Sequence, residues 1–229
     1  MKRLALVLVV GALVGCGGED GGRATIWITR DRGAQVILER EVPSGLTAMQ
    51  ALDRVARIET RYGGRYVQAI NGLAGSLSAR RDWFYFINGY EADRSAAEYR
   101  LHRGDVEWWD FRSWRTEMRV PVVVGLFPEP FAGGFNGKRR PTVVQYDAST
   151  RRQALALGRR LHAKVVPESA RPDEKANVLR LTCVRASSVP RVQARFRSGD
   201  EHPGAPILYT VNCTSDFEAR ARHRYEVGG

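Results

Sequence analysis

Residues 83–89 read Trp83-Phe84-Tyr85-Phe86-Ile87-Asn88-Gly89. Five aromatic or β-branched residues run into an Asn-Gly pair, the pattern of a strand closed by a tight turn. Side chains in a strand alternate between faces. Phe84 and Phe86 carry no polar atoms and are assigned to the face under a helix. Trp83 and Tyr85 each carry a polar handle and are assigned to an open face where one edge can stay wet. Upstream, Tyr66 to Ile70 ends in Asn71-Gly72, a second strand and turn of the same kind. Downstream, Gly104-Asp105 turns the chain into Val106 to Phe111. That strand holds Trp108 and Trp109, one of which must share the face of Trp83 and Tyr85.

The pattern continues outward. Ala24 to Thr29 alternates around Ile26 and Ile28, Arg30-Asp31-Arg32-Gly33 is a turn, and Gln35 to Val42 alternates again, which predicts a hairpin. Thr47 is placed to cap a helix over Ala48 to Arg57, whose Met49, Leu52, Val55 and Ala56 recur at helical spacing. Residues 61–65 read as a Gly- and Arg-rich loop, and Ser95 to Leu101 as a helical turn. The order is strand, strand, helix, then three strands. That order predicts an α+β fold of the β-grasp kind, a mixed sheet around one helix, over residues 24–118.

Four pieces carry a family resemblance: VPSGLTAMQAL at 42–52, YGGRYVQAINGLAG at 62–75, WFYFING at 83–89 and YRLHRGDVEWW at 99–109. Together they resemble the bacterial relatives of the transcobalamin C-terminal domain, a group catalogued as a domain of unknown function. The resemblance implies a β-grasp related to the cobalamin-capping domain of transcobalamin and intrinsic factor, where a larger helical domain supplies the rest of the corrin site. It implies a small-ligand or protein-docking module.

The ligand-binding candidates are Tyr66, Asn71, Trp83, Tyr85, Asn88, Tyr90, Trp108 and Trp109. Indole and phenol rings stack on a flat conjugated or sugar-like ligand, and amide side chains add directional hydrogen bonds. The same aromatics would equally serve to pack the core of a small domain. Cobalamin or a related cofactor is the first ligand to consider, held by equilibrium binding and passed to an uptake transporter, with no cofactor required for chemistry. The other reading is an interaction module of the cell envelope that docks a protein or polymer and has no small-molecule site.

Beyond the aromatic strands, residues 119–141 are rich in proline, aromatics and glycine and read as an ordered linker lying across the first domain. Residues 142–217 read as a small α/β unit: a strand at Thr142 to Tyr146, a helix capped by Ser149 or Thr150 and running to about His162, and strands at Lys164 to Val166, Ala176 to Val184 and Ile207 to Val211. Residues 218–229 read as a polar tail that frays.

The opposite end carries an address. Lys2 and Arg3 precede an apolar stretch from Leu4 to Leu13, too short to span a bilayer. It runs into Leu13-Val14-Gly15-Cys16, which resembles a bacterial lipobox with Cys16 as the acylated residue. Residues 1–15 are thus expected to be a lipoprotein signal peptide and 16–23 a flexible tether. Two or three acyl chains anchor stably at about 0.8 kcal/mol per buried CH₂. The expectation is a protein outside the cytoplasm, attached to the cell membrane.

Three cysteines are present, so acylation of Cys16 leaves Cys183 and Cys213. In an exported protein these are expected to form a disulfide, the alternative being two buried thiols. The 229 residues carry 36 Lys and Arg against 25 Asp and Glu, a formal +11. Loss of residues 1–15 removes two bases and no acids, leaving +9. Only four of the bases are lysine and the arginines are dispersed, the mark of a solvated basic surface more than of a nucleic-acid site.

No catalytic pattern stands out. His102, His162, His202 and His223 are scattered, with no HExxH and no GxSxG, and no spacing suited to a metal. The sequence therefore reads as a binding protein and not as an enzyme.

Overall fold

The computed structural model describes residues 21–184 and 189–228. Cys16 and the proposed signal peptide lie outside them. The protein is α+β, as the sequence indicates. Its first part is a five-stranded mixed sheet of order β2-β1-β8-β6-β7, built from β1 (Arg23–Arg30), β2 (Gln35–Pro43), β6 (Arg81–Ile87), β7 (Tyr90–Glu91) and β8 (Val106–Ser113). β1 and β8 run parallel at the centre and all other pairs are antiparallel.

One helix, α1 (Ala48–Asp53), packs on this sheet. Thr47 caps it through a reciprocal box: its Oγ1 accepts from Gln50 N at 3.2 Å, and Gln50 Oε1 accepts from Thr47 N at 2.9 Å. The helix is shorter than the periodicity predicts. Arg57 N donates to Asn71 Oδ1 at 2.9 Å, and the chain enters a strand, β3 (Ile58–Arg61). That strand, missed in the sequence, pairs with β4 (Tyr66–Ile70), which pairs in turn with β5 (Leu73–Ala74). Tyr66 to Ile70 therefore belongs to a small separate sheet and not to the main one, where β7 takes the fifth place.

The faces of the main sheet are the reverse of those assigned from side-chain polarity. Trp83, Ile87, Trp109 and Phe111 share the α1 side with Ile26, Ile28, Ala51 and Leu52. Phe84, Phe86, Trp27 and Trp108 lie on the outer side. Nor is the outer side open. Val120, Val123 and Leu126 cross it, and Tyr225 is inserted from the far end of the chain. Alternation fixes which residues share a face. It does not fix which face the helix takes when both are covered.

The segment leading out of β8 fills the space between the two halves of the molecule. Val123 N donates to Gly89 O at 2.8 Å, Tyr90 OH to Ala205 O at 3.0 Å, and Tyr209 OH to Val124 O at 3.0 Å. The second sheet has order β10-β9-β11-β13-β12, from β9 (Thr142–Tyr146), β10 (Lys164–Pro167), β11 (Asn177–Thr182), β12 (Val192–Phe196) and β13 (Ile207–Asn212). α2 (Arg151–Leu161) is the crossover between parallel β9 and β10. It buries Ala154, Leu157 and Leu161. Strand β12 lies within residues 191–206, where the sequence is polar with only isolated apolar residues and no strand is predicted. A disulfide joins Cys183 and Cys213, which follow the adjacent parallel strands β11 and β13.

The C-terminal residues do not fray. α3 (Phe217–Ala221) buries Phe217, and Val227 bridges to Val192. Tyr225 is 5% exposed, its ring edge-on to Phe86 and Trp108 at 5.3 Å and its hydroxyl donating to Asp110 Oδ2 at 3.0 Å. Within this arginine-rich stretch Tyr225 docks along with Phe217 and Val227 because it brings a large apolar body and one donor to a site that needs both.

Asp110 is buried and also holds the β1–β2 turn. Its carboxylate accepts from Thr29 Oγ1 at 2.5 Å, Gly33 N at 3.1 Å and Arg32 N at 3.0 Å. Residues 31–33 all have positive φ, which explains the glycine there; a Cβ on Gly33 would also lie 1.4 Å from the His223 carbonyl oxygen.

Candidate functional site

Four of the eight candidate residues line one cavity of about 220 Å³: Tyr66 on β4, Trp83 and Tyr85 on β6, and Trp109 on β8. It opens on the helix side of the main sheet. Met49 of α1 and the 91–96 loop close it, with Arg65 and Arg94 among its lining. Tyr85 stacks on Trp109 with ring centres 4.8 Å apart and planes 17° from parallel, and Trp83 lies against Phe111 at 5.2 Å. The β6–β8 register sets this stack directly, because Tyr85 and Trp109 are opposite each other.

The polar handles of all four aromatics are already engaged. Trp83 Nε1 donates to Leu73 O at 2.8 Å, Trp109 Nε1 to Glu107 Oε1 at 2.5 Å, Tyr85 OH to Arg94 O, and Tyr66 OH to Asp82. A group entering the cavity meets ring surface and the Met49 thioether, with few free donors. Burial raises the Tyr85 hydroxyl above its ordinary range, with the Glu107 carboxyl adding to the effect. Tyr85 therefore stays neutral at any physiological pH.

The charged groups at the cavity are largely compensated. Arg65 pairs with Glu98, and Arg94 with Asp93 at 2.8 Å. Glu91 is raised by burial even though Arg112 at 3.9 Å and Arg119 at 3.7 Å act to lower it. Glu107 lies behind the Tyr85–Trp109 pair. It is wholly buried, its Oε2 has no hydrogen-bond partner, and burial holds its carboxyl well above the usual range.

The other four candidates are elsewhere. Asn88 is fully buried, donating to Asp105 Oδ1 at 2.7 Å and Gly134 O at 2.9 Å while accepting from Val106 N at 2.8 Å. Asn71 is at positive φ and accepts from Arg57 N. These amides stitch turns, and neither lines the cavity. Tyr90 packs between the two halves, against Phe135 and Phe196. Trp108 is fully buried on the outer face, its Nε1 donating to Thr29 Oγ1 at 2.7 Å. Sequence reasoning missed Met49, Arg65, Glu91 and Arg94. Only Met49 carried a signal, as part of the helical stripe; the rest depend on where the 91–96 loop folds.

Among the described residues no group of three or more His, Cys, Asp or Glu could hold a metal ion, and no helix is long and apolar enough to cross a membrane.

Residues 45–113 match a family described as a domain of unknown function, DUF4430. Among solved structures, haptocorrin in complex with Cbi is similar at 15% identity and a TM-score of 0.33, over 40% of this chain and 25% of that one. A protein from Ruminococcus gnavus ATCC 29149 proposed to bind metal is similar at 14% identity and a TM-score of 0.31, over 40% of this chain and 97% of that one. The chain thus spans a quarter of haptocorrin's length. Comparison with curated proteins finds no match.

Proposed function

We propose that this chain is an extracytoplasmic binding protein, tethered to the membrane through an acylated Cys16, that takes a small planar organic ligand by equilibrium binding and without bond chemistry. The observation that carries the reading is the convergence of Tyr66, Trp83, Tyr85 and Trp109 on one cavity. Pockets that enclose drug-sized ligands run to about 300–1,000 Å³. At about 220 Å³ this one suits a single ring system, so a corrinoid would enter by an edge or a side group and lie across the mouth. Such a binder would pass its ligand to an uptake transporter.

The test uses the full chain, because the main sheet is completed by Tyr225. Tryptophan fluorescence is followed during titration with cobalamin and, separately, with benzimidazole as a ring-sized planar probe. Saturable quenching by either is expected, with loss of affinity in Met49→Phe, which fills the cavity. No quenching by either, in protein with an unchanged melting curve, would overturn the reading. For the tether, Cys16→Ser should move the protein from the membrane to the soluble fraction; unchanged fractionation would exclude acylation as the anchor.

A second reading has one observation in its favour. β2 is an edge of the main sheet, and its Val36 and Ile37 are 46% and 42% exposed. An envelope partner could add a strand there. Val36→Lys with Ile37→Lys should then abolish capture of that partner while leaving the quenching intact.

A further inference from the structure

A larger concavity, about 640 Å³, is built by the 93–94 loop, the 135–141 segment, the loop before β11 and the 202–204 turn. Its lining carries five bases, Arg94, Lys138, Arg139, Arg140 and Lys175, against two acids, Asp93 and Asp173, on a largely apolar wall. Several exposed arginines elsewhere are neutralised by acids, as in Arg23–Glu41, Arg65–Glu98 and Arg160–Glu218. Here only Arg94 is, by Asp93.

Arg139 and Arg140 are held by neutral groups. Arg139 Nε donates to Phe131 O at 2.8 Å and its Nη2 to Leu161 O; Arg140 Nε donates to Gly204 O and its Nη1 to Lys175 O at 3.3 Å. Backbone carbonyls fix a guanidinium in place without cancelling its charge. The Lys138 and Lys175 ammonium groups have no partner among the described residues, and both side chains are exposed. Five bases against two acids leave three positive charges uncompensated in one concave site. Concave walls of low dielectric focus such a field.

The geometry points to this cleft as a binding site for an anion with two or more phosphate groups. Two fixed guanidinium groups, each with N–H donors left over from those given to carbonyls, beside two exposed ammonium groups form a donor set that phosphate oxygens use, and a single carboxylate would leave most of the charge unmet. This site adjoins the aromatic cavity, since Arg94 lines both, but its uncompensated bases lie on other segments, and it stands whether or not that cavity binds a ligand.

Inorganic pyrophosphate is the probe, titrated calorimetrically into the full chain at low salt. Saturable binding is expected. Lys138→Glu with Lys175→Glu should weaken it by about tenfold or more, because each reversal turns an attraction for the anion into a repulsion. Neither ammonium supports the fold, so the melting temperature should hold. Arg151→Glu with Arg152→Glu, an equal charge change on α2 outside the cleft, should leave binding unaltered. Absence of saturable binding, or equal weakening by both pairs, would overturn the site.

Sedimentation with vesicles containing cardiolipin, whose headgroup carries two phosphates, against phosphatidylcholine alone, assigns the source. Loss of pelleting in the lysine pair marks a lipid headgroup. Unchanged pelleting with lost pyrophosphate binding marks a soluble phosphate compound. Either result supports the cleft.

Discussion

Replacing Glu107 by Gln should convert a pH-dependent stability into a flatter one. Glu107 is fully buried behind the cavity wall, opposite Ile87 and beside Ile26 in the sheet register. Desolvation pushes its carboxyl well above the usual range, and the Trp109 N–H only partly opposes this. The folded chain therefore keeps the Glu107 proton at pH values where the unfolded chain, titrating near 4.3, has lost it. Between those two values the folded state binds one more proton, so stability falls as pH rises, by about 1.4 kcal/mol per pH unit. Below the unfolded value this penalty vanishes. Gln keeps the shape and the oxygen that accepts from Trp109, and it does not titrate. Other buried acids such as Asp110 and Glu129 are common to both proteins and cancel in the comparison.

Urea unfolding at pH 5, 6 and 7 measures the effect. The stability of Glu107→Gln relative to the wild type should climb with pH at about 1.4 kcal/mol per unit until the native value of Glu107 is passed. A difference that stays constant from pH 5 to 7 would show that Glu107 is charged in the folded protein, and the description of the cavity's rear wall would have to be abandoned.

Three further outcomes are expected. Thr47→Ala removes one half of the capping box and should lower stability by about 1 kcal/mol, read by thermal or urea unfolding. Reducing the Cys183–Cys213 bond, whose ends are 30 residues apart, should lower stability by about 3–4 kcal/mol on chain-entropy grounds, seen as a lower urea midpoint with dithiothreitol. Tyr225→Ala should destabilise by about 3–5 kcal/mol and shift tryptophan emission to the red as Trp27 and Trp108 meet water, whereas Tyr225→Phe should lose only about 1–2 kcal/mol for the missing Asp110 contact.

The helix cap, the hairpin and the aromatic strands were legible because each has a local cause. Thr47 needs only Gln50, and the turn at 31–33 needs residues that tolerate positive φ. Periodicity also put Trp83 and Tyr85 on one face, and both line the cavity. What it could not supply was which face α1 occupies. That depends on Val120, Val123, Leu126 and Tyr225, residues far away in sequence that cover the other side. Asn71 and Asn88 misled for a related reason. An Asn in a turn satisfies its own neighbourhood first, and Asn88 uses its whole amide that way. Strand β3 and strand β12 were missed because each is a short polar segment made into a strand by its partner.

The seat of Tyr225 has a consequence for the order in which the protein comes to exist. The first sheet is laid down early in synthesis, yet Trp27 and Trp108 are sealed, and the last donor reaches Asp110, only when residue 225 arrives. A chain released before residue 225 is made would have its opening strands intact in sequence and still bare on one side. Tyr225 thus acts as a check on the sheet that precedes it: until it docks, quality-control proteases have indole surface to find.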